Sequence, residues 1–219
     1  MSSKNKYFVP ENKSGVFKNE ISPDGKFQLI ITSYFTKKDC WNYTQGLIYK
    51  IGVSTPLFEV QRNYSMFPFL WVDHPNGHQY LVCGEDYQGQ SVLELDTGKR
   101  KDILSSEAKN GCGFCWADYR FDVASRIIVV SGCVWACPYE YKFYDFSDPM
   151  SGWPELETDM VCIDEDDKWP IFETNGNIKI YCTLYDSNGD ENDDKGAKIF
   201  KRDGLKLTLL REDVIKSDI

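Results

Sequence analysis

Apolar positions along the chain fall in short runs that alternate with polar ones, and four of these runs follow directly on a turn-like polar segment. Ser22-Pro23-Asp24-Gly25-Lys26 precedes the run 28–32, His74-Pro75-Asn76-Gly77 precedes 79–83, Asp122-Val123-Ala124-Ser125 precedes 127–131, and Glu173-Thr174-Asn175-Gly176 precedes 178–182. The runs are short and β-branched, as in Leu29-Ile30-Ile31 and Ile127-Ile128-Val129-Val130, which favours strand over helix. From Gly25 through Gly77 and Ser125 to Gly176 the steps are 52, 48 and 51 residues. A nearly constant step of this size marks a propeller or solenoid, in which each repeat needs its neighbours to bury its faces.

Each repeat divides further into four candidate strands, A to D. The A strands are 15–21, 67–73, 113–121 and 169–173; the runs after the turns are the B strands. The C strands are 46–51, 91–95, 139–145 and 197–202, and the D strands are 57–61, 99–104, a segment around 153–156, and 205–210. A helical turn is expected near 105–108. The pattern predicts an all-β fold, a β-propeller of four blades at roughly 15–61, 67–104, 113–157 and 169–212, forming one domain over residues 1–219. Tyr7-Phe8-Val9, ahead of Pro10, is a candidate extra strand beside the last blade, where pairing would cover an exposed edge.

Ser22-Pro23-Asp24-Gly25-Lys26 and Leu95-Asp96-Thr97-Gly98-Lys99 resemble the A–B and C–D turns of WD-repeat and related propellers. Gly84-Glu85-Asp86-Tyr87-Gln88-Gly89, Cys133-Val134-Trp135-Ala136-Cys137-Pro138-Tyr139-Glu140 and Phe143-Tyr144-Asp145-Phe146-Ser147-Asp148-Pro149 also resemble segments of a group of small uncharacterised proteins, a likeness that implies no activity. The propeller resemblance spans about residues 15–212. It departs from the WD pattern in having no Trp-Asp pair to close a blade. A closed four-blade ring, a homodimer completing a larger ring, and another β fold all stay open at this level.

Composition narrows the class. The 219 residues are 42% hydrophobic and 15% aromatic, enough apolar material for a core. With 25 basic against 34 acidic side chains the formal charge is −9, which argues against nucleic acid or an anionic membrane as partner. No apolar run approaches the ~20 residues of a membrane span. The start leads into no hydrophobic signal core, so a cytoplasmic location with reduced thiols is expected despite eight cysteines. By the same logic the sequons at Asn12, Asn42 and Asn63 are expected to stay unmodified.

In a propeller the B–C loops and D–A connections share one face. That face would gather Trp41, Tyr43, Tyr87 and Trp135 with Glu85, Asp86 and Glu140 nearby, a set suited to binding a protein, a peptide or a small ligand, with the carboxylates orienting a cationic group. The competing reading is that these rings pack under their own loops. Cys112, Cys115, Cys133 and Cys137 approach a four-thiolate zinc spacing, against which stands the x3 gap of the second pair and the reading of all four as free thiols. Asp186 to Asp194 alternates oxygen ligands but departs from a calcium loop, with glycine at the fourth position and Ala197 at the twelfth. The two histidines, His74 and His78, flank a turn and are expected to be solvated. No nucleophile elbow, phosphate loop or zincin motif is present. The sequence therefore favours a non-enzymatic binding module, with a propeller hydrolase carrying a metal ion in the axial channel as the alternative.

Overall fold

A computed structural model describes residues 6–84, 86–135, 137–158, 162–163, 168–185 and 191–215. Within them the regular structure is almost all strand, apart from a 3-10 turn at Pro10–Asn12 and one short helix, α1 (Ser106–Lys109). The helix is capped by Ser105, whose hydroxyl accepts from Ala108 N. None of the described helices is long and apolar enough to cross a membrane. The chain divides into two compact units, Met1–Trp116 and Ala117–Ile219.

The first unit holds two four-stranded antiparallel sheets, each a simple meander. One runs β1 (Lys13–Ile21), β2 (Phe27–Tyr34), β3 (Tyr43–Lys50), β4 (Phe58–Arg62); the other runs β5 (Leu70–Asp73), β6 (Gln79–Cys83), β7 (Gly89–Glu94), β8 (Lys99–Leu104). Alternation decides what faces what. In the first sheet Phe27, Leu29, Ile31, Ile48, Phe58 and Val60 share one face, and they pack in a single cluster with Leu81, Cys83, Leu93 and Leu95 of the second. Gly46 lies in register between Ile31 and Val60. A Cβ there would come within 2.5 Å of the Phe67 ring, so the absent side chain is what lets this ring enter the core from the connection between the sheets.

The second unit repeats the scheme with more irregularity. Its strands are β9 (Cys115–Asp122), which begins at the end of the first unit, then β10 (Ile127–Cys133), β11 (Glu140–Asp145), β12 (Glu157–Thr158), β13 (Cys162–Ile163), β14 (Ile171–Phe172), β15 (Asn177–Tyr185), β16 (Glu191–Asp203) and β17 (Lys206–Ile215). One sheet has the order β13-β11-β10-β9 and the other β12-β17-β16-β15-β14. Ile127, Val129, Tyr141 and Phe143 form a core with Ile178, Ile180, Phe200 and Leu207. Arg202 ties the two sheets at their edge: Nη2 meets the Asp145 carboxylate at 2.8 Å and Nη1 donates to Ser125 O.

The repeated turns share their hydrogen bonds. Ser22 N donates to Phe27 O and Gly25 N to Ser22 O; the same pair of bonds joins His74 with His78 and Gly77, and Glu173 with Asn177 and Gly176. The glycines take positive φ of 74°, 88° and 83°. In the third turn the left-handed residue is Arg126, with φ 56°, one place beyond Ser125.

Several expectations are corrected. Tyr7 to Val9 is turn and bend, not a strand beside the last blade. Pro10 opens the 3-10 turn behind it, and the Tyr7 and Phe8 rings instead meet Tyr43 and Tyr34 of the first sheet at 5.1 and 5.2 Å. The fourth strand expected around 153–156 is only an isolated bridge, Tyr144 with Glu155; β13 pairs with the other end of β11, and β12 joins the last sheet as a fifth strand, parallel to β17. The fourth B–C loop is shorter than expected because β16 begins at Glu191, opposite Tyr185. Of the oxygen-rich run, Asp186 to Asp190 lies outside the described residues. His74 is buried rather than solvated, its Nδ1 accepting from Asn76 N while its ring meets Tyr80 edge-on.

Candidate functional site

The loop end of the first unit is built around Asn63 and Tyr64, which follow β4 directly. Trp41, in the β2–β3 loop, donates its indole N–H to Asn63 O at 2.9 Å. Its ring meets Tyr64 edge-on at 5.7 Å, and Tyr64 lies 6.0 Å from Tyr87 of the β6–β7 loop. These contacts make a continuous row, Trp41, Tyr64, Tyr87, from three successive loops of one end. Trp41 stays 47% exposed, and the two tyrosines are half-buried.

Hydrogen bonds hold the row's backbone in place. Asn63 Nδ2 donates to Asp86 Oδ2 at 2.8 Å, and Asn63 Oδ1 accepts from Tyr87 N at 3.2 Å. Asp86 Oδ1 accepts from Gln88 N, and Thr44 Oγ1 donates to Tyr64 O. The buried Arg62 donates through Nη1 to Gly84 O at 3.0 Å and Asp86 O at 2.8 Å. Gln88 clasps the segment before β9, donating to Gly111 O and accepting from Gly113 N. Each Asp86 oxygen keeps a lone pair beyond its internal bond, so its negative charge stays beside the rings.

Of the residues expected from sequence, Trp41, Asp86 and Tyr87 come together here. Tyr43 is nearby but packed, with Tyr7 and Phe8 over it; burial, then Tyr7 and Cys40, with Asp86 a smaller influence, raise its phenol pKa. Glu85 lies outside the described residues. Trp135, 49% exposed, and Glu140, at the start of β11, belong to the second unit. Asn63 and Tyr64 are members of the row not expected from the sequence, where Asn63-Tyr64-Ser65 reads only as a sequon. The signal was present, since they lie on a D–A connection, assigned to the same face as the B–C loops.

Of the four cysteines at zinc-like spacing, Cys112 and Cys115 belong to the first unit and Cys133 and Cys137 to the second. Cys112 is exposed after α1, its thiol 3.8 Å from Asn110 O, and Cys115 lies 4.0 Å from Gly113 O. In the second unit, burial, then Cys137 and Glu140, push the Cys133 thiol pKa up. Among the described residues no three His, Cys, Asp or Glu side chains are grouped to hold a metal ion.

No family model matches the chain. It is similar to a solved protein from Lactobacillus plantarum, with TM-score 0.47 and 15% identity, covering 95% of this chain and 58% of that one. It is similar also to Kuenenia stuttgartiensis hydrazine synthase, with TM-score 0.44 and 13% identity over 95% of this chain and 51% of that one. For TolB from Acinetobacter baumannii the values are 0.40 and 13%, over 94% and 44%. The chain spans about half the length of these structures, and likenesses this distant carry no weight for function. With the protein described as Uncharacterized protein R762 of Acanthamoeba polyphaga mimivirus, the chain is 32% identical over 210 residues, 94% of this chain and 81% of that protein. The chain belongs to the family of that mimivirus protein.

Proposed function

We propose that the protein is a four-bladed β-propeller that works as a non-enzymatic binding module and takes an extended peptide across Trp41, Tyr64 and Tyr87. The observation that carries this is the ring spacing of 5.7 and 6.0 Å along one loop end. Alternate side chains of an extended peptide lie roughly 6.6 Å apart, so successive same-face side chains of such a ligand each meet one ring. Rigid aromatic faces give large contact area at low entropic cost, and the Asp86 carboxylate favours a basic residue in the peptide. Asn63, Gln88 and Arg62 act as positioning residues that keep the loops from moving when the ligand arrives.

The experiment is selection of linear peptides from a random displayed library on the full protein. Binders are expected to be enriched in basic and apolar residues at alternate positions and to lose at least tenfold in affinity on Tyr87→Ala. An enriched peptide that binds Tyr87→Ala and Trp41→Ala as tightly as the parent, or a selection that yields no binder, overturns the reading.

A further inference from the structure

At the opposite end of the same unit, where the Ser22-Pro23-Asp24 turn meets the ends of β5 and β6, there is a small cavity of about 50 Å³. Its floor is buried and mixed: Ser22, Val72, Tyr80 and Leu95 are each at most 5% exposed. Pro23, Asp24 and Asp73 at its rim are exposed. Trp71 and Gln79 also line it, and they bring an anomaly. Trp71 Nε1 and Gln79 Oε1 are both buried with no hydrogen-bond partner.

An unsatisfied buried donor and acceptor cost free energy unless something fills the role. The Gln79 side chain lies close enough to the Asp24 carboxylate to help hold its pKa down, which fits its NH2 group facing that carboxylate. Its oxygen is therefore the free end. Asp73 and Gln79 are direct cross-strand partners, and Trp71 is two places along β5 on the same face, so donor, acceptor and rim carboxylate share one surface. Any occupant must accept from an indole N–H and donate to an amide oxygen. A hydroxyl does both with a single atom, an ammonium cannot accept, and a carboxylate cannot donate. Asp73 at the rim accepts from a further hydroxyl, while the Asp24 carboxylate is already engaged by Ser22 and Lys26.

We infer that this cavity is a binding subsite for a small polyhydroxylated molecule, a polyol or the edge of a sugar, whose hydroxyl accepts from Trp71 and donates to Gln79. A volume of about 50 Å³ holds one hydroxymethyl-sized group, with the remainder of the ligand passing Asp73 into solvent. The site is separate from the aromatic row and does not depend on it.

The test uses the full chain with ¹⁵N-labelled indoles and glycerol as the probe. The Trp71 resonance is identified by its loss in Trp71→Phe. With glycerol it is expected to shift saturably, and with acetate or tetramethylammonium at equal concentration not to. Gln79→Met removes the acceptor, and Asp73→Ala alters only an exposed rim position; each is expected to weaken glycerol binding at least fivefold. A Trp71 resonance that stays still, that shifts linearly with the same slope in all variants, or that responds equally to acetate overturns the inference. Should Gln79→Met fail to fold, unchanged glycerol affinity in Asp73→Ala overturns it alone.

Discussion

Arg126 holds a left-handed backbone, φ 56°, one place beyond the position at which the other three repeat turns use glycine. That conformation costs a side-chain-bearing residue roughly 1 kcal/mol, partly offset in glycine by greater unfolded-state entropy. Arg126→Gly is expected to raise the stability by about 0.5 kcal/mol, read as a small upward shift of the thermal midpoint. Asp24 makes a second prediction. Burial pulls its carboxyl pKa upward, but hydrogen bonds from Ser22, Lys26 and Gln79 outweigh that and hold it well below the usual range. A carboxyl depressed in the folded state stabilises fully above its unfolded pKa and loses that contribution as pH falls through the folded one. The thermal midpoint of Asp24→Asn is therefore expected to lie below the parent by a constant gap from pH 7 to about pH 4, a gap that narrows in more acid solution. A gap unchanged at pH 3 contradicts this. The Ser-Pro-Asp-Gly turn was legible in the sequence because its chemistry is local. The burial of His74 was not, since it depends on Tyr80 from the next strand.

Elements followed period-two alternation wherever a strand is half-buried. The expected runs 79–83 and 99–104 coincide with β6 and β8, and the expected helical turn with α1 within one residue. No period is legible where strands are too short to show one: β12, β13 and β14 have two residues each, and the chain between β11 and β14 contributes to both sheets of its unit. The same holds at β16, where Glu191 to Lys195 is polar and reads as loop, but Lys195 pairs with Thr183 and Glu191 with Tyr185 across a register shift. Gly46 makes the packing claim testable at this scale. Gly46→Ala places a methyl group against the Phe67 ring, and overpacking of this kind costs about 1 to 3 kcal/mol. In Gly46→Ala combined with Phe67→Leu the loss is expected to be less than the sum of the single losses, because both act on one contact; additive losses in chemical denaturation would show that Phe67 does not occupy this space.

For the whole molecule, the fifty-residue repeat corresponds to four successive sheets, two in each unit. The repeated turns made the scaffold visible in the sequence. The site was only half visible, because Trp41 and Tyr87 stand out as loop aromatics, whereas Tyr64, which joins them, lies in a D–A connection whose Asn63-Tyr64-Ser65 reads only as a sequon. The central claim is that this row binds ligand without serving the fold. Calorimetric titration of a library-selected peptide into the parent and into Trp41→Ala, with thermal midpoints measured on the same samples, tests it most directly. The prediction is an affinity at least tenfold weaker in Trp41→Ala with a midpoint within about 3 °C of the parent, since exposed positions contribute little to stability. Equal affinity, or a midpoint that collapses along with binding, would contradict it.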